Sequence, residues 1–296
     1  MTRVGTIVKS LAGFYYVDCG GETVTCRARG RFRFGDGVAP LVGDRVEVLT
    51  ADAGSDSMLR EMLPRRNAFV RPPVANIDTL VIVVTDAPPA ADAFLIDRMI
   101  VAAERSDCEP FIVFNKSDVS LSALLDVYHH AGFHAFSVSA STGDGIDELR
   151  IALASGGVSA FSGNSGVGKS SLLNAMGLDL PVGEVSDKLG RGRHTTRHVE
   201  LHTFDFGDTT LKIIDTPGFS SFDGIDDAVD ARDLPQYFRD FAPYLDDCRF
   251  RDCQHGADAG CAVRDAAERG DIAPSRYRSY LRLLEIAQDA AANAWR

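Results

Sequence analysis

The sequence predicts an α/β protein in three parts: an all-β N-terminal segment, a parallel sheet flanked by helices, and a helical C-terminal segment. Three observations predict it. Short alternating runs fill residues 1–71, continuous apolar runs then alternate with amphipathic ones, and a tight group of cysteines precedes a last amphipathic stretch.

The alternation in the first part runs through Val4 to Val8, Phe14 to Val17 and Arg45 to Leu49, with glycines between, which is the pattern of a small barrel or sandwich. Residues 1–75 hold 11 Lys plus Arg against 8 Asp plus Glu, while residues 76–296 hold 20 against 34, so the charge changes sign at the boundary. Arg27, Arg29, Arg31 and Arg33 recur at every second position and would share one strand face. Two readings stand for that face: a solvated surface, or contacts to RNA phosphates.

Pro72-Pro73 marks the linker into the second part, residues 72–230. Leu80-Val81-Ile82-Val83-Val84 reads as a buried strand, residues 94–103 as a helix, Phe111-Ile112-Val113-Phe114 as a second buried strand, Leu121 to His130 as a helix, and Phe133 to Val138 as another strand. Residues 199–204 and 211–214 look like a further strand pair. The third part, 231–296, ends in a helix from Pro274 through Leu281, Leu284 and Ile286.

At 296 residues, 45% apolar and 25% charged, the chain can bury cores in about one to three domains, which excludes global disorder. A net charge of −11 opposes a general nucleic-acid or membrane coat and leaves room only for localised basic sites, at Arg27 to Arg33, at Arg191, Arg193 and Arg197, and along Arg276, Arg278 and Arg282. No run approaches the roughly 20 apolar residues of a membrane span, and the start lacks a signal-peptide stretch, so the cytoplasm is the expected compartment.

Gly163-Asn164-Ser165-Gly166-Val167-Gly168-Lys169-Ser170 fits the Walker A pattern, with Val158 to Phe161 before it as strand and Ser171 to Ala175 after it as helix. Glycines let backbone N–H groups converge on phosphate oxygens, the helix N-terminus adds positive potential, Lys169 reaches the β and γ phosphates, and Ser170 is the Mg²⁺ ligand. This string says nucleoside triphosphate without saying which base.

The base comes from Asn115-Lys116-Ser117-Asp118 at the C-terminal end of the Phe111 strand, where open α/β sheets bind ligands. The Asp118 carboxylate accepts from guanine N1–H and its exocyclic amine, whereas adenine presents an acceptor at N1. Asn115 braces the loop, Lys116 lies over the ring, and Ser139-Ala140-Ser141 supplies a backbone donor to guanine O6. Asp215-Thr216-Pro217-Gly218 follows a strand as the metal-side loop, Asp215 facing Mg²⁺ through water and Gly218 N–H the γ phosphate. The basic loop Gly190 to Arg197 carries Thr195 and Thr196, of which Thr196 is favoured for the Mg²⁺ shell.

Cys248, Cys253, His255 and Cys261 form C-x4-C-x-H-x5-C, a closed set of three thiolates and one imidazole that suits a structural Zn²⁺. The surrounding segment is poor in apolar residues, so metal removal is expected to unfold it locally. Cys19, Cys26 and Cys108 read as packed or idle thiols, and His129, His130, His134, His198 and His202 as surface or packing residues.

The base loops precede the phosphate loop, which in turn precedes the metal-side loops. That order inverts the usual one, so the sheet is expected to be circularly permuted, with the loop after Gly218 pulling directly on the C-terminal segment. Together with the N-terminal β segment and the cysteine group, this order resembles the RsgA/YjeQ family of circularly permuted GTPases over nearly the whole chain. The resemblance implies an OB-fold barrel, a permuted P-loop GTPase domain and a zinc domain, acting in late maturation of the small ribosomal subunit, which stimulates GTP hydrolysis.

Where many GTPases carry a water-orienting Gln after the Asp-x-x-Gly loop, this chain has Phe219. Intrinsic hydrolysis is therefore expected to be slow, and His194 is the candidate to position water or stabilise the transition state, a role that the resemblance also suggests; a solvated loop residue or an RNA phosphate contact are its alternatives. The leading reading is an enzyme used as a switch, converting GTP to GDP on the small subunit and its rRNA as a cytoplasmic monomer. The alternative is a GTP-dependent ribosome-binding checkpoint protein in which hydrolysis only triggers release. A small-molecule kinase lacks an evident acceptor site.

Overall fold

The computed structural model describes residues 1–28, 39–50, 57–69, 73–88, 90–154, 157–178, 199–206, 209–215 and 229–293. Five strands, β1 (Thr2–Leu11), β2 (Phe14–Asp18), β3 (Thr23–Ala28), β4 (Arg45–Leu49) and β5 (Ser57–Met62), close into a barrel in the order β1-β2-β3-β5-β4 and back to β1. All its pairings are antiparallel except β3 with β5. β1 serves both edges because its register shifts between Ile7 and Lys9 and because Gly5 lets the strand bend inward: a Cβ there would lie 2.4 Å from the Asp18 carbonyl. Ile7, Val17, Cys26, Val46, Val48 and Leu59 fill the interior.

The hairpin β6 (Ala68–Phe69) and β7 (Val74–Ala75) leads from the barrel into β8 (Thr79–Val84), whose six residues are all buried, as a parallel strand covered on both faces must be. From β8 the chain steps outward through α1 (Ala93–Arg105), β9 (Glu109–Phe114), α2 (Leu124–His130) and β10 (His134–Ser137). It then crosses back through α3 (Ile146–Ala154) to β11 (Val158–Ser162), on the other side of β8, and continues through α4 (Lys169–Ala175) to β12 (Glu200–Phe206) and β13 (Thr209–Asp215). β10, β9, β8, β11 and β13 are parallel neighbours; β12 turns back antiparallel on β13. α2 begins three residues later than the sequence suggests because the Ser122 hydroxyl accepts from Leu124 N at 3.1 Å and fixes the start. Helix α3 has no counterpart in the sequence reading: Ile146, Leu149 and Leu153 do recur at helical spacing, but in a segment of only nine residues.

β12 meets β1 at one registered pair, Lys9 with Glu200, so barrel and parallel strands form one eleven-stranded sheet. Beyond it, two 3₁₀ segments, Leu234–Tyr237 and Arg239–Asp247, with α5 (Ala262–Arg269) and α6 (Pro274–Asn293), build a C-terminal lobe on the outer face of α1.

That lobe corrects two expectations. Arg276, expected on a basic surface, is 1% exposed; its guanidinium meets Asp97 of α1 at 2.5 Å and Asp240 at 2.7 Å, because a buried cation must be paired. Arg282 lies over the Phe94 ring, 3.7 Å from its centroid, while Arg278 remains exposed. The metal segment is also better supported than its own composition suggests, since Phe238, Phe241, Val263, Tyr280 and Leu283, on either side of it in sequence, pack beneath it. Of the barrel arginines, Arg27 is the penultimate residue of β3 with its guanidinium 4.5 Å from the Phe14 ring centroid; Arg29, Arg31 and Arg33 lie outside the described residues. No helix among the described residues is long and apolar enough to cross a membrane.

Candidate functional site

The described loops that matter gather at the C-terminal ends of β8, β9, β10 and β11. Leaving β11, the chain turns at Gly163, where an added Cβ would lie 2.2 Å from the Val83 carbonyl; only glycine lets the loop run this close to its neighbouring strand. Gly168, at φ 90°, caps α4 and is held against Asn115, whose Nδ2 would lie 2.5 Å from a Cβ there. Lys169 opens α4 and donates to the carbonyls of Gly163 and Asn164, so its ammonium lies across its own loop. Asn164, Ser165 and Gly166 are exposed on the loop's crest, Val167 is buried beneath them, and Ser170 and Ser171 are exposed in the first turn of α4. Behind the loop, a cavity of about 90 Å³ separates it from the N-terminal turn of α1, with Leu95, Ile96 and Met99 on its far wall.

The base-side loops touch this one directly. Buried Asn115, at the end of β9, donates through Nδ2 to the Val167 carbonyl at 2.9 Å and accepts through Oδ1 from Ala140 N at 3.1 Å. One side chain thus ties its own loop to two others, and Lys116 adds a third link by donating to the Gly166 carbonyl at 2.8 Å. Lys116 adopts φ 65°, a left-handed backbone that aims its side chain across the phosphate loop at a steric cost for a residue with a Cβ.

Asp118 stands exposed beyond Asn115. The Ser139 hydroxyl donates to Asp118 Oδ1 at 2.6 Å and lies 2.9 Å from the Ser141 hydroxyl; these two hydroxyls hold the Asp118 carboxyl below the usual carboxylate range. The carboxylate is therefore charged and fixed in orientation at neutral pH. Ser139 is itself fixed, its N–H donating to the Asp144 carbonyl at 2.9 Å and its oxygen accepting from Thr142 N at 3.2 Å. The sequence reading did not anticipate the Lys116 tie to Gly166 or the Val83 carbonyl behind Gly163; the tight approach of Val83 is signalled only by a glycine among several.

Asp215 is the last residue of β13, which pairs in parallel with β11, the strand that leads into the phosphate loop; residues 216–218 lie outside the described residues. Thr195, Thr196, His194, Gly218 and Phe219 lie outside the described residues, as does the whole Gly190 to Arg197 loop.

In the C-terminal lobe the ligand atoms of Cys248, Cys253, His255 and Cys261 all fall within 4.8 Å of one another. His255 Nδ1 is 3.5 Å from Cys248 Sγ and 3.6 Å from Cys261 Sγ, close to the edges of a tetrahedron whose arms have ordinary zinc lengths of about 2.0–2.3 Å. Burial pushes the Cys253 thiol up to about 12 and raises Cys261, while burial holds His255 below its usual value. A neutral imidazole and three clustered cysteine sulfurs, of which Cys253 and Cys261 are held protonated by their surroundings until a cation offsets that, are a donor set that fits Zn²⁺. Backbone N–H groups of His255 and Arg264 point at Cys253 and Cys261, each at 3.4 Å, and the Tyr277 and Tyr280 hydroxyls fasten the loop by donating to the carbonyls of His255 at 2.8 Å and Gln254 at 2.7 Å. Cys19, Cys26 and Cys108 are buried free thiols. His129 and His130 bond to nearby backbone carbonyls and His134 packs 4.8 Å from the Phe111 ring centroid.

Comparison with known proteins agrees with this arrangement. Residues 62–225 match the family model described as RsgA GTPase, and residues 4–56 match that of the RsgA N-terminal domain. The small ribosomal subunit biogenesis GTPase RsgA of Caldanaerobacter subterraneus is 44% identical, covering 98% of this chain and 97% of the relative; the protein of the same name from Geobacillus thermodenitrificans is 44% identical over 94% of each. Among solved structures, YjeQ from Thermotoga maritima superposes with a TM-score of 0.79 at 33% identity, covering 97% of this chain and 99% of its own. YloQ, described as a circularly permuted GTPase, gives 0.77 at 32% identity, covering 98% of this chain and 96% of its own.

Proposed function

The chain belongs to the RsgA GTPase family, and from that premise and the site's geometry we propose that it binds GTP between Asp118 and Lys169 and hydrolyses it to GDP and phosphate as a switch in biogenesis of the small ribosomal subunit. The observation that carries this reading is the position of Asn115, which joins the base-side loops to the phosphate loop through two hydrogen bonds. Residues far apart in the chain are thereby spaced to serve one ligand.

In this reading the Asp118 carboxylate accepts from guanine N1–H and the exocyclic amine, the backbone of Ser139-Ala140-Ser141 supplies a donor to O6, and Lys116 covers the ring. Backbone N–H groups of Gly163 to Ser171 hold the phosphates, and Lys169 stabilises the charge that develops on the transferring phosphoryl group. Mg²⁺ would be held by Ser170 and Thr196, with Asp215 behind it through water, and would neutralise phosphate charge when bound. Phe219 offers no hydrogen bond to water, so the reading assigns His194 to the attacking water or the γ phosphate and makes turnover depend on the docked subunit. The same Phe219 favours, as a second reading, a checkpoint protein for which hydrolysis is the release step.

The rRNA contacts are assigned to the barrel and to the C-terminal lobe, where exposed Arg278, with Arg264 and Tyr277, lines an open groove of about 600 Å³. In this reading the protein acts on the small subunit in the cytoplasm, as a monomer. Phosphate release from GTP and from ATP, measured with and without purified small subunits, tests the whole reading. GTP should be preferred and the subunit should accelerate its turnover. Equal rates on ATP would overturn the base assignment, and an unaccelerated GTP rate would overturn the subunit as partner.

A further inference from the structure

Lys9, Glu200 and Asp215 stand in one transverse row of the eleven-stranded sheet: Lys9 of β1 is registered with Glu200 of β12, and Glu200 with Asp215 of β13. The row runs from the barrel wall to Asp215, the last residue of β13. At its barrel end the Lys9 ammonium meets the Glu200 carboxylate at 2.7 Å, and among the described residues this is the one registered pair between β1 and β12. Seven registered pairs bind β12 to β13, so a displacement of β12 is passed to β13 as a unit. Leu201 and Ile214, next to these positions, share an apolar cluster with Ile7 and Val17 of the barrel, so the seam is packed as well as bonded.

We propose that Lys9 and Glu200 are positioning residues for subunit-stimulated hydrolysis: by fixing the register of β12 against the barrel, the pair sets where β13 delivers Asp215 when the barrel docks. The idea rests on the reading of Asp215 and of the subunit as stimulator given above. Neither residue lies in the nucleotide loops, and both side chains are about a third exposed, so the pair contributes little to global stability. Its loss should therefore show in coupling, the quantity that carries information between sites.

The test compares Lys9→Ala, Glu200→Ala and the reversed pair Lys9→Glu with Glu200→Lys in single-turnover GTP hydrolysis, with and without small subunits, alongside thermal unfolding. Each single variant should keep the intrinsic rate and the unfolding midpoint while losing about tenfold of the stimulated rate at saturating subunit, a coupling within the range of contacting pairs. The reversed pair should recover most of that loss. Equal losses with and without subunits, no loss, or a reversed pair as impaired as the single variants would each overturn the proposal. A wild-type chain that subunits fail to accelerate removes the underlying reading as well, whereas an accelerated wild type with unaffected variants removes this proposal alone.

Discussion

Around Lys169 the polar groups sit in the open. Asp118, Asn164 and Ser170 are exposed, and the loops that bear them are tied by a few hydrogen bonds from Asn115, Lys116 and Ser139. In the C-terminal lobe the polar groups are sealed inside: Arg276 is 1% exposed between Asp97 and Asp240, and Cys261 and His255 are buried over Phe241 and Tyr280. The first region keeps its charges hydrated until a ligand takes them up; the second has already desolvated its charges and depends on pairing and a metal to offset that. A substitution in the first should therefore cost function with little stability, and in the second stability before function.

The largest expected effect probes the first half of that contrast. Lys169→Ala should lower GTP turnover by about a thousandfold or more, the scale of losing a charge that stabilises the transferring phosphoryl group, with the unfolding midpoint unchanged. Single-turnover kinetics and calorimetry on the same sample check both statements, and a large drop in midpoint would blur the contrast. Next comes the second half. Arg276→Met strands Asp97 at 0% exposure and should cost about 3 kcal/mol in denaturant unfolding, within the range for breaking a buried pair, whereas Asp97→Asn with Arg276→Met should recover part of it.

A smaller effect sharpens the base side. Asp118→Asn should weaken GTP binding roughly thirtyfold, since charge-assisted bonds to guanine are lost, and should improve binding of xanthosine triphosphate, whose C2 carbonyl can accept from the new amide. Unchanged guanine selectivity in competition binding would remove Asp118 from the role. The smallest effect is a pH dependence of the metal cluster. Burial depresses the His255 pKa, so the unfolded loop takes up its proton first; stability from a neutral His255 is complete above the ordinary histidine value of about 6.5 and is lost as pH falls below it. Protons also compete with metal for the three sulfurs, in the same direction. Zinc released to a chromogenic chelator should rise as pH falls from about 7 to 5, and a flat release curve would show that the cluster does not hold the metal.

What could be read from the chain follows the same division. The phosphate and base loops are legible because short strings encode their backbone geometry: glycines at 163 and 168 where a Cβ would collide, and Asn115, Lys116 and Asp118 at a strand end. The four metal ligands are legible because they lie within fourteen residues. Arg276 is not, since a lone arginine on an amphipathic helix looks like surface, and its partner Asp97 is 179 residues away. The seam of Lys9 with Glu200 is hidden for the same reason, spanning 191 residues between two unremarkable charges. The support beneath the metal cluster was missed because it comes from flanking segments; the interval between the ligands, on which the expectation was based, contains little of it.

The contact of Asn115 with Gly168 carries a consequence for how such a chain can vary over descent. At φ 90° a side chain at 168 strains the backbone, and it would in addition need a shorter residue at 115, which forfeits the bond from Ala140. The two positions, and through them the halves of the pocket that see base and phosphate, are thus obliged to drift together or stand still. A graft that imports either loop from an unrelated nucleotide-binding protein would inherit one half of a lock whose other half stays behind.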